Sequence, residues 1–73
     1  MPKLPRISGR EAVRAFEKAG WEVARQRGSH IVLIKPGSIY TLSIPLHRAL
    51  GPGLLGDQIR KAGLTIEEFM ELL

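Results

Sequence analysis

The sequence predicts an α+β fold: one helix, three antiparallel strands, a second helix and a short third one, with the helices on one face of the sheet. Three observations lead there. The apolar period changes from 3.6 to 2 after Gly20 and returns to helical spacing after Gly53. Two capping boxes, Ser8 with Glu11 and Thr65 with Glu68, mark helix starts. The breaks at 27–29 and 36–38 are short, so the strands between them join most economically as a meander.

Residues 1–7, punctuated by Pro2 and Pro5, read as an extended lead-in. Ser8 then opens a helix whose Ala12, Val13, Phe16 and Ala19 form one apolar stripe, and Gly20 stands where a left-handed residue ends it. Trp21, Val23 and Arg25 alternate with Glu22, Ala24 and Gln26 in a first strand, and Arg27-Gly28-Ser29 is the turn that follows. His30 to Lys35 is apolar on both faces, which predicts a central strand covered on each side. After Pro36-Gly37-Ser38, Tyr40, Leu42 and Ile44 alternate with Thr41 and Ser43 in a half-buried strand stopped by Pro45. Leu46 to Gly53 reads as a loop. Leu54 or Leu55, Ile59 and Ala62 form a second stripe before Gly63, and Leu64 and Phe69 sit at the staple positions of a last helix over 66–73. With no internal repeat and no low-complexity segment, residues 1–73 are expected to form one domain.

Composition removes many functions. The 73 residues contain no cysteine, so disulfides, thiolate zinc sites and thiol nucleophiles are excluded, and two histidines do not fill a tetrahedral metal cage. A chain this short buries only roughly 60% of the surface its unfolded form exposes, so its core closes by packing alone. No run approaches the ~18 apolar residues of a membrane span. The first residues lack the apolar stretch of a secretory signal, and cytoplasmic residence is the expectation. Gly51-Pro52-Gly53 lacks the lysine and hydroxyl of a phosphate loop, and no carboxylate pair is spaced for a metal cluster. No cofactor is expected.

The charge is uneven. The 11 Lys and Arg outnumber the 7 Asp and Glu, a formal net of +4 that favours an anionic partner, nucleic acid first. Residues 1–35 hold Lys3, Arg6, Arg10, Arg14, Lys18, Arg25, Arg27 and Lys35 against only Glu11, Glu17 and Glu22, whereas acids lead in residues 36–73. Within the basic half lies Arg25-Gln26-Arg27-Gly28-Ser29-His30. Histidine titrates near neutrality and is the usual general acid or base. Two guanidiniums beside an imidazole suit phosphodiester chemistry: the cations hold the phosphate and the imidazole moves a proton. Gly28 lets an RNA backbone approach, Ser29 adds a hydroxyl and Lys35 a further charge. Read structurally, the same residues are a hairpin turn and a strand-start histidine.

His47, just past the third strand, is the candidate for a second proton transfer, or a loop histidine facing water. Trp21 and Tyr40 are base-stacking candidates that read more simply as core. Aromatic content of 5% argues against an extended stacking platform.

Together these segments are similar to the HicA (YcfA-like) family of small toxins. Lys18-Ala19-Gly20-Trp21-Glu22 resembles the family's lysine-any-glycine-tryptophan, and Arg25 to His30 its Arg-Gln-Lys-Gly-Ser-His segment. Ile44-Pro45-Leu46-His47 resembles its Val-Pro-x-His. Gly53 to Gly63 resembles its Gly-Thr-Leu-x-x-Ile-x-Lys-x-Ala-Gly, continuing through Thr65 to Phe69. The likeness covers about residues 8–70. It implies a fold like the double-stranded RNA-binding domain, ordered α-β-β-β-α, and an mRNA-cleaving ribonuclease. It further implies a catalytic histidine at His30, no metal, and a HicB-type antitoxin as partner. The chain departs from the pattern at Ile31-Val32-Leu33, less polar than usual, and at Leu54, where threonine is expected. A non-catalytic RNA-binding module of the same fold is the alternative, and pairing with protein through the apolar central strand a third.

Overall fold

A computed structural model describes residues 4–73, in the order α1 (Gly9–Lys18), β1 (Glu22–Arg27), β2 (His30–Ile34), β3 (Leu42–Pro45), α2 (Pro52–Lys61) and α3 (Ile66–Glu71). The strands form one antiparallel sheet in the order β1-β2-β3. This is the α-β-β-β-α layout with a short extra helix. The predicted extended lead-in lies outside the described residues at 1–3; from Leu4 to Ser8 the chain is neither helix nor strand, and Ile7 is buried and pinned by the Leu50 amide.

Both predicted capping boxes form. The Ser8 hydroxyl accepts from the Glu11 amide at 3.1 Å while the Glu11 carboxylate accepts from the Ser8 amide at 3.1 Å. Thr65 and Glu68 repeat the exchange at 3.1 and 2.8 Å. Two Schellman motifs end α1 and α2. Gly20 donates to Glu17 and Trp21 to Phe16, and Gly63 donates to Arg60 and Leu64 to Ile59. Gly20 and Gly63 have φ of 98° and 77°, the left-handed backbone that this motif requires.

The core is one cluster. Ile31, Leu33, Leu42 and Ile44 face the helices, which contribute Val13, Phe16, Leu55, Ile59 and Phe69. The Phe16 and Phe69 rings meet at 5.0 Å and 44°, and this contact seats a six-residue helix too short to be stable alone.

Several expectations are corrected. The apolar β2 is covered on one side only: Ile31 and Leu33 are buried, while Val32 is half-buried and Ile34 is 43% exposed on the open face. Strand β1 runs one residue later than expected, through Arg27, because a two-residue loop suffices to turn the hairpin. Strand β3 starts at Leu42, leaving Tyr40 half exposed and outside the core, whereas Trp21 is 2% exposed and inside it. Pro45 ends β3 within the strand rather than before it. It stands on an edge, where the amide it lacks is not needed. Helix α2 begins at Pro52, inside the expected loop, because proline's fixed φ suits the first helical position and Gly51 is the N-cap. Helix α3 ends at Glu71, with Leu72 as its C-cap.

Candidate nucleic-acid interface

The candidate segment, residues 25–30, is built on the β1-β2 hairpin. Arg27 pairs with His30 across a loop of Gly28 and Ser29, and Gly28 has φ 57° while no non-glycine residue has positive φ. Glycine first and a negative φ second is the arrangement of a type II′ turn, whose twist matches the strands it joins. The Gln26 side-chain amide donates to the Gly28 carbonyl at 2.9 Å and ties the turn to β1. His30 is therefore the first residue of the central strand, held by a tight turn on one side and by Pro45 of β3 on the other.

A β-bulge decides where the arginines point. Val23 pairs with Leu33, but Arg25 pairs with Val32, so Ala24 is an extra residue in β1. Simple alternation puts Arg25 and Arg27 on the face of Val23 and Trp21, which is the core side. The bulge shifts the parity once. Arg25 and Arg27 then share a face with their cross-strand partners Val32 and His30, the open face of the sheet. All three charged or titratable side chains are exposed there. The two arginines are thus brought together with His30, as the sequence suggested, through a bulge that the alternation had not revealed.

Lys35 is not brought to this group. It lies at the opposite end of β2, roughly 16 Å along the strand from His30 at ~3.3 Å per residue. Its ammonium donates to the Ala19 carbonyl at 3.1 Å, closing the C-terminus of α1.

His47 is brought to the same end of the sheet as His30. The Leu46 amide donates to the Ser29 carbonyl at 2.6 Å, and the Gly9 amide to the His47 carbonyl at 2.9 Å. Gly9 is needed for that junction: a Cβ there would clash with the Pro45 carbonyl oxygen, far inside van der Waals distance, and would lie 2.9 Å from Pro45 C. The start of α1 is thereby pressed against the strand end that flanks His30. A cleft of about 220 Å³ opens beside it, lined by Ser8, Arg10, Leu46, His47 and Arg48. Arg10 and Arg48 stand outside the hairpin motif, and no local sequence signal joins two residues so far apart in the chain.

Among the described residues no group of three His, Asp or Glu side chains converges to hold a metal, and no helix is long and apolar enough to cross a membrane. Taken together, the fold and the site define a small α+β domain carrying a histidine and two arginines on the open face of its sheet. Residues 9–64 match the family model described as the HicA toxin of bacterial toxin–antitoxin systems. The match spans most of the chain, and the protein belongs to the HicA toxin family: it is the toxin of a toxin–antitoxin module. No curated protein matches the chain.

Proposed function

We propose that this toxin is a metal-independent endoribonuclease that cleaves mRNA, with His30 as the general acid or base. Members of the family are in general ribonucleases. The observation that carries the reading for this chain is the placing of His30, Arg25 and Arg27 on one exposed face by the bulge and the tight turn. Arg25 and Arg27 bind the scissile phosphate and offset the negative charge that grows on it, and Ser29 and the open approach at Gly28 complete the phosphate site. Nothing lies within 4 Å of a Cβ built on Gly28, which fits close approach by an RNA backbone. One imidazole takes the proton of a ribose 2′-hydroxyl. The 2′-oxygen then bonds to phosphorus as the bond to the 5′-oxygen breaks, and that oxygen leaves with a proton from a second group. His47, at the same end of the sheet, is the candidate for the second role.

The partner of a toxin is its antitoxin, and a HicB-type protein is the form proposed here. Val32 and Ile34 alternate with the core residues of β2 and share the open face with His30, so a protein seated there covers the site. The toxin acts where mRNA is, in the cytoplasm.

The test is cleavage of mRNA in EDTA by wild type and His30→Ala. Wild type is expected to cut at full rate, leaving a cyclic phosphate and a 5′-hydroxyl, and the folded variant to lose about 10²–10⁴-fold. Equal cutting by the variant sinks the role of His30, and loss of wild-type cutting in EDTA sinks metal independence. Salt-sensitive binding with no product, even after long incubation, would make the protein an RNA-binding module instead.

A further inference from the structure

We propose that the cleft at the start of α1 is a second phosphate site, which holds a neighbouring phosphate of the same RNA strand through Arg10 and Arg48. This rests on the reading that the hairpin face binds RNA.

The cleft is concave and cationic. Arg10 and Arg48 are both exposed, and Ser8, Leu46 and His47 complete the lining. Neither arginine is paired with an acid: among the described residues, the ion pairs are those of Asp57 with Arg60 and Lys61. The nearby carboxylate of Glu11 is occupied by the Ser8 amide and hydroxyl, both at 3.1 Å, and is not part of the cleft lining. Two guanidiniums without a carboxylate partner are matched to an anion with several oxygens, and a phosphate accepts from both at once.

The cleft is also fixed relative to His30. One wall, Leu46 to Arg48, is bonded to Ser29 through the Leu46 amide, and the other, the first turn of α1, is bonded to the first through Gly9 and His47. His30 itself is paired with Pro45, one residue before that wall. An RNA strand whose scissile phosphate sits at Arg25, Arg27 and His30 therefore meets Arg10 and Arg48 as it continues over the end of β3. The preferred substrate is accordingly a single strand extending beyond the cleaved bond on one side.

The experiment uses His30→Ala as the background, so that RNA is not consumed, and titrates a mixed-sequence single-stranded oligoribonucleotide at several salt concentrations. Arg10→Gln and Arg48→Gln are each expected to weaken binding and to lower the log–log salt slope by about 0.7, the loss of one single-strand phosphate contact. Arg14→Gln, one turn further along the exposed side of α1, is expected to leave the slope unchanged. An equal drop in all three variants, or none at Arg10 and Arg48, overturns the site. If Arg25→Gln and Arg27→Gln also leave binding unchanged, the RNA reading itself fails; a drop there alone removes only the cleft. A second readout restores His30 and lengthens the oligonucleotide one residue at a time on either side of the cleaved bond. kcat/KM is expected to step up on one side, and the step to vanish in Arg48→Gln. Identical length profiles for the two proteins would refute the proposal.

Discussion

Two glycines show how differently single residues hold this fold. Gly28 has φ 57° and open space where a Cβ would go, so Gly28→Ala suffers only backbone strain, about 1–2 kcal/mol. Gly9 is the first helical residue after its N-cap, where by propensity alone Gly9→Ala gains less than the ~1 kcal/mol of a helix interior. Its new methyl, however, meets the Pro45 carbonyl and lies 3.0 Å from Leu46 Cα, all main chain that has no rotamer to yield. Overpacking of this kind costs about 3 kcal/mol at its usual upper end. Denaturant midpoints are therefore expected to rank wild type above Gly28→Ala and Gly28→Ala above Gly9→Ala, and a stabilised Gly9→Ala would refute the close contact. Gly28 was legible in the sequence because a turn residue announces itself locally. Gly9 was not, since its constraint comes from a strand end far along the chain. The same difference separates His30, visible inside a motif, from Arg48, whose meaning depends on α1 standing beside it.

At the scale of elements, the helix ends marked by a capping box or a Schellman glycine could be read to the residue, while the start of α2, the end of α3 and the strand faces could not. Ser8, Gly20, Gly63 and Thr65 act through hydrogen bonds within a few residues of themselves, so the sequence carries their whole instruction. Strand ends and faces depend on partners. Ile34 looks like core until the sheet is known to have one open side, and Tyr40 looks like strand until β3 is seen to begin at Leu42. The bulge at Ala24 is the largest gap between reading and structure, because it serves two faces at once: Trp21 stays buried before it and Arg25 and Arg27 reach the open side after it. Deleting Ala24 removes the parity change, so β1 keeps one arrangement and loses the other. The expected result is either a red-shifted emission from Trp21, the single tryptophan, or loss of most RNA affinity through inward-turned arginines. A deletion variant with native emission and native affinity would show that the bulge is not what sorts the two faces. Helix α3 offers a simpler contrast. Phe69→Ala removes the ring that packs on Phe16 and is expected to cost about 3–5 kcal/mol, whereas Thr65→Ala loses one cap, about 1 kcal/mol.

Over the whole molecule, the basic first half of the sequence does not become one basic surface. Lys18 donates to the Leu72 carbonyl at 3.0 Å and Lys35 to the Ala19 carbonyl at 3.1 Å, so two of its cations close helix ends. The arginines proposed to contact RNA are Arg10, Arg25 and Arg27, with Arg48 from the acidic half, carried by β1, the first turn of α1 and the segment after β3. Net charge suggests the kind of partner, and in the proposed reading the fold selects which charges meet it. If those four arginines each touch one phosphate, the log–log salt slope for single-stranded RNA is about −2.8, and affinity falls roughly 50-fold between 50 and 200 mM salt. Lys35 decides between sequence and structure. Lys35→Met keeps the aliphatic stem that lies against Gly20 but loses the donor to Ala19. The expected outcome is a stability loss of about 1 kcal/mol with the salt slope unchanged. A slope lowered by about 0.7, with stability intact, would return Lys35 to the RNA interface where its charge first suggested it belongs.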